Sequence, residues 1–440
     1  MSTKKSLYQK AILESTDRSR TIDITQGIIL LEYYEDIFSP TITAKIKIVN
    51  NGNVISPAGG GGASGKQSIY NGLPLRGGER ISLKISGNSS TNPGLDFSKK
   101  DDYLYVSSIT DVISETNRES FTLHLVSREA ISNETARVYE KFPTDFKINQ
   151  SVTKILTETL KTRKIGKIDT SSNKYGFIGN LRKPFTVLVW LASKAVFAKS
   201  AGFLFYQNKD GFQFRAIDEL IKQPAKASYT YTEAQASYDD SGNKINNDFK
   251  ILNYYTDKNQ NLLENLRLGT YSSYGLFFNP LNGKLVTPTY DIDDYSGSKS
   301  ESLGNRISKN KLLPPLSDNS SKNLGEVPTR IITAVLDVGS MEKGVSRKLN
   351  ANPAEFQSQS LRRYNMLLTQ VLNIIVPSNT NLRAGDIIQC YFPRITEGDQ
   401  KEFDRETSGL YMIKELCHHF DVEKSYTSLK LVRDTFGQRK

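Results

Sequence analysis

Residues 60–66 read Gly-Gly-Gly-Ala-Ser-Gly-Lys, the letters of a phosphate-binding loop, G-x-x-x-x-G-K. In such a loop backbone amides cradle the phosphates, the lysine neutralises them, and a Ser or Thr hydroxyl after the lysine holds magnesium. Gln67 stands where that hydroxyl should be. The flanks also depart from a nucleotide site, which needs a buried parallel strand before the loop and a helix after it. Here an alternating strand precedes, and Gly72-Leu73-Pro74 follows. Ile331–Asp337 (IITAVLD) imitates the strand that would bring a magnesium-binding aspartate, but no βαβ pattern connects the two. The glycine-rich stretch is therefore read as a flexible hairpin loop.

The other chemistry-bearing residues are similarly isolated. His418 and His419 are adjacent on a strand, so their side chains point to opposite faces and cannot hold one metal together. Cys417 and His419 share a face, yet a zinc site needs three or four ligands. His124 alternates with Thr122 and Val126 on a wet strand face. Structural roles are expected for all three histidines. Cys390 and Cys417 are read as small buried hydrophobes. The paired carboxylates Asp101-Asp102, Asp239-Asp240 and Asp293-Asp294 lie in polar stretches, not in the apolar cleft that raises a glycosidase acid's pKa. There is no G-x-S-x-G elbow and no zinc-protease helix. No catalytic residue, metal ligand or cofactor is expected, and the chain is read as a non-enzyme.

Composition points the same way. The chain has 440 residues, 37% of them hydrophobic, with 22 Tyr and 20 Phe but one Trp. That suits thin β-structures with long polar loops better than a large α/β core. The net charge of +11 is dispersed, with no recognition helix or RNA-binding signature, which suggests a solvated basic surface. No run approaches the roughly 18 apolar residues of a membrane span. The N-terminus lacks a signal-peptide apolar region, so synthesis in a reducing host cytoplasm is expected.

From Thr21 to Val126 the chain reads as strands. Ile42, Ala44, Ile46 and Ile48 share one face while Thr43, Lys45 and Lys47 share the other, the alternation of a half-buried antiparallel strand. Ile81, Leu83 and Ile85 repeat it, as do Phe121, Leu123 and Leu125. After Asn149, read as an N-cap, Val152, Ile155, Leu156 and Leu160 take helical spacing. Pro184 is placed at the first position of a second helix that ends near Ser200-Ala201-Gly202. Asn208-Lys209-Asp210-Gly211 predicts a hairpin turn between Phe203–Gln207 and Phe212–Ala216. Strands are expected at Phe249–Thr256, Asn261–Leu268 and Ser273–Phe278. Asp291–Val327 is too polar to bury much surface, and Ala354–Leu368 is helical.

The last stretch, Val376 to Gly437, holds three strand-like runs separated by turn chemistry, the spacing of an antiparallel meander. Arg383-Ala384-Gly385-Asp386 feeds the first, Ser408-Gly409 opens the second, and Leu431-Val432-Arg433-Asp434 closes the third. Strict alternation puts Leu410, Met412, Leu416 and Phe420 on one face of the second run, and Tyr411, Ile413, Cys417 and His419 on the other.

This order of motifs resembles the terminal β-barrel of baseplate hub proteins in contractile-tailed, T-even-like phages, related to the hub part of type VI secretion spikes. The helix, glycine and hairpin order resembles their insertion domain. The resemblance implies a mainly β (α+β) chain with two small antiparallel tube-protein-like barrels and a helical insertion. Barrel one would span 1–130, the insertion 131–236, and the first part of barrel two 237–290. A polar lobe would occupy 291–350, and 351–440 would complete barrel two. It also implies a homotrimeric ring in the virion tail. The ring's partners would be the tail spike, the tube initiator and tape-measure proteins and other baseplate proteins, with DNA only in transit. Ile413, Tyr411, His418 and Arg433 are the candidates for structural or interface roles. The alternatives are a tail-associated peptidoglycan hydrolase and a host-binding module.

Overall fold

The computed structural model describes residues 3–51, 68–73, 75–89, 92–198, 200–232, 247–259, 261–291, 301–304, 313–338, 349–394 and 403–437. The glycine-rich loop Gly60–Lys66 lies outside them, as do Asp239-Asp240 and Asp293-Asp294.

The chain is mostly β. The N-terminal part contributes β1 (Tyr8–Glu14), β2 (Ile28–Asp36), β3 (Thr43–Asn50), β4 (Arg80–Ser89), β5 (Leu104–Ser114) and β6 (Glu119–Ser127). A middle part follows with α1 (Ile148–Lys154), α2 (Pro184–Lys194), β7 (Phe203–Asn208) and β8 (Gly211–Ala216). Next come β9 (Ser228–Tyr231), β10 (Asn253–Asn259), β11 (Ser272–Phe278) and β12 (Arg330–Val335). The helix α3 (Pro353–Leu367) leads into β13 (Gln370–Pro377), β14 (Ile387–Tyr391), β15 (Gly409–Asp421) and β16 (Ser425–Arg433).

Local chemistry accounts for many of these elements. In β3 the residues Ala44, Ile46 and Ile48 are buried, while Thr43, Lys45 and Lys47 are half-exposed, as its period of two requires. Asn208 pairs with Gly211 across a two-residue turn, with Gly211 at φ 118°, a conformation that costs glycine little. Pro184 opens α2, where its missing N–H costs no bond. Asn352 caps α3, its side chain accepting from the Ala354 N–H.

Several expectations are corrected. Asn149 does not cap α1: the cap position is Lys147, and the Asn149 side chain instead accepts from the Ser171 N–H. The helix α2 ends at Lys194, and Val196-Phe197 turns back onto Ser200-Ala201 as a short antiparallel pair. Asn261–Leu268 is not a strand. Asn261 caps a helix over Leu262–Arg267 by accepting from the Glu264 N–H, which satisfies an otherwise orphan donor.

One 15-stranded sheet carries most of the fold. Its path runs from Lys250–Ile251 through β9, β14, β15, β2, β3, β6, β5, β4 and β1 to Thr21–Asp23, while β16 pairs β15 and β13, and β13 pairs β10. Among the described residues the barrels implied by the resemblance do not close as complete ladders. The reason lies in β15, which is shared. One edge pairs β16 along its length, whereas the other pairs β14 through Gly409–Met412 and then β2 through Glu415–Asp421. A strand has two edges, so lending one to β2 fuses the N-terminal and C-terminal lobes into one sheet.

A single apolar core follows. Leu31, Ile46 and Leu123 from one lobe pack in the same cluster as Ile413, Leu416 and Leu429 from the other. The middle part has its own core, built on Val152, Leu156, Leu188, Phe203 and Phe214. A third cluster seals the two together, joining Leu204, Tyr206, Ile217 and Leu220 to Val371, Ile387, Met412 and Val432.

Candidate assembly site

The place where β15 changes partner is the structural centre of the chain. The register breaks between Ile413 and Glu415, a β-bulge that re-aims the strand. The Ile413 N–H donates to the Asp386 carbonyl at 2.9 Å, and the Gly385 N–H donates to the Ile413 carbonyl at 2.8 Å. One residue later the Ile37 N–H donates to the Lys414 carbonyl at 2.9 Å. The Lys414 ammonium reaches Asp36 at 3.0 Å, fastening the bulge to the end of β2.

The bulge overturns the strict alternation expected for β15. Tyr411 and Ile413 share the main core with Leu416 and Phe420, while Met412 faces the third cluster. The strand's N-terminal half is therefore covered on both faces, within one chain.

All four candidate residues lie inside this chain, fully buried. The Tyr411 hydroxyl donates to the Thr407 carbonyl at 2.6 Å and lies 3.1 Å from Gln370 Oε1. Arg433 donates through one terminal nitrogen to the Glu406 carbonyl at 3.2 Å, and its guanidinium carbon sits 5.1 Å from the Tyr411 ring centre. Gly409 passes beside it at φ 145°, where a Cβ would come within 2.6 Å of the guanidinium. His418 Nδ1 lies 3.0 Å from Thr427 Oγ1, and its ring lies parallel to that of Tyr33 at 6.1 Å. His419 projects the other way, 3.1 Å from Glu32 and 4.4 Å from the Tyr426 ring.

Burial, reinforced by Arg383, pushes the His418 pKa down from 6.5 to about 3. A histidine depressed in this way contributes stability fully above 6.5 and loses it as pH falls toward 3, because only the unfolded chain takes up the proton. We expect its share of the loss to be roughly 1.4 kcal/mol per pH unit in that window. His418→Phe, which keeps a ring against Tyr33, should flatten it. Urea melts of both proteins at pH 7 and 5 check this, and equal acid sensitivity would refute it.

Two buried charge junctions that sequence reasoning missed tie the lobes to the middle part. At the first, Glu35 of β2 accepts from the Tyr33 hydroxyl at 2.8 Å, the Lys209 N–H at 2.7 Å and the Ala384 N–H at 2.8 Å. These partners belong to β2, to the β7–β8 turn and to the loop before β14. Burial raises the Glu35 pKa against the opposing pull of Arg383, whose Nε lies 3.3 Å from Asp210 on the same turn. The signal was present in the pattern: Leu31, Tyr33 and Glu35 occupy the core-facing positions of one alternating strand, and a carboxylate there needs partners.

At the second junction, Arg363 of α3 donates to Asp218 at 2.5 Å and to Asp434 at 3.4 Å, and also to the Glu301 carbonyl at 3.1 Å. The Leu303 N–H donates to Asp434 at 2.9 Å. One guanidinium thus holds the middle part, the segment at 301–304 and the residue after β16. No sequence spacing relates these positions.

Burial pushes the Cys417 thiol up to about 12 and the Cys390 thiol higher, so neither supplies a thiolate at neutral pH. Among the described residues, no group of three His, Cys, Asp or Glu side chains gathers as a metal site. None of the described helices is long and apolar enough to cross a membrane.

No protein-family model matches the chain, and no curated protein matches it in sequence. Solved structures do. A tail protein from Neisseria meningitidis MC58 superposes with a TM-score of 0.54 at 10% identity, covering 97% of each chain. The 43 kDa tail protein of prophage MuSo2 from Shewanella oneidensis superposes with a TM-score of 0.52 at 10% identity, covering 97% of this chain and 98% of that one. Across nearly its full length, this chain has the fold of those tail proteins.

Proposed function

We propose that the chain is a structural subunit of a contractile phage tail, the baseplate hub. In this reading three copies form a ring that adapts a trimeric spike to the six-fold tail tube and lets the genome pass. The observation that carries it is the near-complete coverage of two tail-protein folds. The fused sheet supports it, since a subunit presenting two lobes to a six-fold partner must hold them in fixed relation. Open strand edges support it as well. Among the described residues the edge of β5 turned away from β6 pairs with no strand from Ser107 to Ser114, nor does the outer edge of β12, whose Ile331 and Val335 are 63% and 66% exposed. Such edges are available for pairing between subunits. By this proposal the tube initiator, tape-measure protein and other baseplate proteins are neighbours in the virion, and Ile413, Tyr411, His418 and Arg433 support the surfaces that meet them from inside.

The expected result is a trimer by light scattering, alone or with the spike protein. A persistent monomer under both conditions would exclude the hub reading, and clearance of peptidoglycan by the purified chain would favour a hydrolase instead.

A further inference from the structure

The first charge junction opens on a polar cleft between the middle part and the loop before β14. Tyr206, Asp210 and Arg215 of the β7–β8 hairpin line it together with Lys167, facing Arg383 and Asp386 of that loop, and its volume is about 250 Å³. None of the lining residues adjoins an undescribed stretch of the sequence. Both carboxylates of the lining are already matched. Asp210 accepts from Arg383 Nε at 3.3 Å, and Asp386 accepts from the Lys226 ammonium and from the Arg383 N–H, each at 2.8 Å.

The donors are not matched. Tyr206 is 2% exposed, yet its hydroxyl makes no hydrogen bond among the described residues. It lies against Gly385, where a Cβ would collide with it. Burial pushes the tyrosine pKa up, so the group stays a protonated donor. Arg215 is 5% exposed; its Nε donates to Asp169 at 2.9 Å, while its terminal nitrogens have no hydrogen-bond partner among the described residues. The exposed Lys167 ammonium forms no ion pair among them either. Buried donors without an acceptor are costly in a folded chain, and here two of them and an uncommitted ammonium line one cleft.

We propose that this cleft binds a carboxylate, which accepts from the Tyr206 hydroxyl and the Arg215 guanidinium and is balanced by Lys167. A planar carboxylate suits the fork of a guanidinium. Its single charge also meets less repulsion from Asp210 and Asp386 than a phosphate dianion would. The carboxylate belongs to a small organic acid or to an acidic side chain of a neighbouring protein. The site does not depend on the hub reading.

The test is titration calorimetry on the whole protein. The probes are glutarate, a capped Ala-Glu-Ala peptide, its Ala-Gln-Ala counterpart and inorganic phosphate. Saturable binding of glutarate or of the glutamate peptide is expected, and none of the glutamine peptide. Saturation by the peptide assigns a protein side chain as the source, and by glutarate alone a small acid. Tyr206→Phe should weaken that binding roughly tenfold, the loss of one charge-assisted hydrogen bond. It should leave the thermal melt of the unliganded protein unchanged, because the hydroxyl has no partner to lose. Lys167→Ala should weaken binding at low salt and less so as salt rises. The proposal falls if neither acid saturates, if phosphate or the glutamine peptide binds as tightly, or if Tyr206→Phe binds like the parent. A lower melt of unliganded Tyr206→Phe would also overturn it, by showing that the hydroxyl already serves the fold.

Discussion

Ile413→Asp is expected to yield insoluble or unassembled protein. Ile413 is fully buried in the core that both lobes share, and its backbone holds β15 to the loop before β14 on the residue preceding the bulge. Burying such a side chain contributes roughly 1.5–3 kcal/mol. An aspartate there forfeits that and adds an unpaired buried carboxylate, whose desolvation costs several kcal/mol more unless it is protonated. The neighbouring Lys414 ammonium is already paired with Asp36. Ile413→Val is the matched control, expected to cost about 0.5–1.5 kcal/mol and to assemble normally. A soluble Ile413→Asp protein melting like the parent would show that the shared core does not hold the lobes together.

Removing the guanidinium of Arg363 should be nearly as damaging. Asp218 and Asp434 would both be left buried without their cation, and breaking a buried pair in this way typically costs about 3–5 kcal/mol. Burial already raises the Asp434 pKa, with Arg363 as the main opposing influence. In Arg363→Met the carboxyl should therefore rise further. A carboxyl raised above its unfolded value stabilises below that value and loses its contribution as pH climbs toward the folded one, so the variant should fare relatively worse at neutral than at mildly acid pH. Arg363→Lys should rescue only in part, since an ammonium cannot reach two carboxylates and a carbonyl with a planar fork. Urea melts at pH 5 and 7 measure all three proteins; a loss below 1 kcal/mol would mean that the junction is no stronger than a surface pair.

What could be read before the fold was known depended on range. The alternation of Ala44, Ile46 and Ile48, the turn at Asn208–Gly211, the proline at the start of α2 and the three-strand meander that ends the chain are dictated within a few residues, by side-chain periodicity and backbone sterics. These features were legible, and with them the mainly β class. The strand Tyr8–Glu14 was not recognised, because its order comes from pairing with Arg80–Ser89, far away in sequence. Asn149 and Asn261 carry the same capping chemistry, yet only the second caps a helix, since Ser171 captures the first. The bulge at Lys414 likewise has no local cause: it is imposed where β15 leaves β14 for β2. That switch reassigns which side chains of β15 share a face.

The sequence by itself therefore determined many of the elements, the amphipathic faces of most strands and the absence of any recognisable catalytic motif, because those rest on neighbours three or four positions apart at most. Only the tertiary structure decided that the two lobes are one sheet and that Glu35 and Arg363 are their fastenings. Buried charges declare their partners in space: the carboxylates that Arg363 joins are 145 and 71 residues away along the chain, and no periodicity spans that distance.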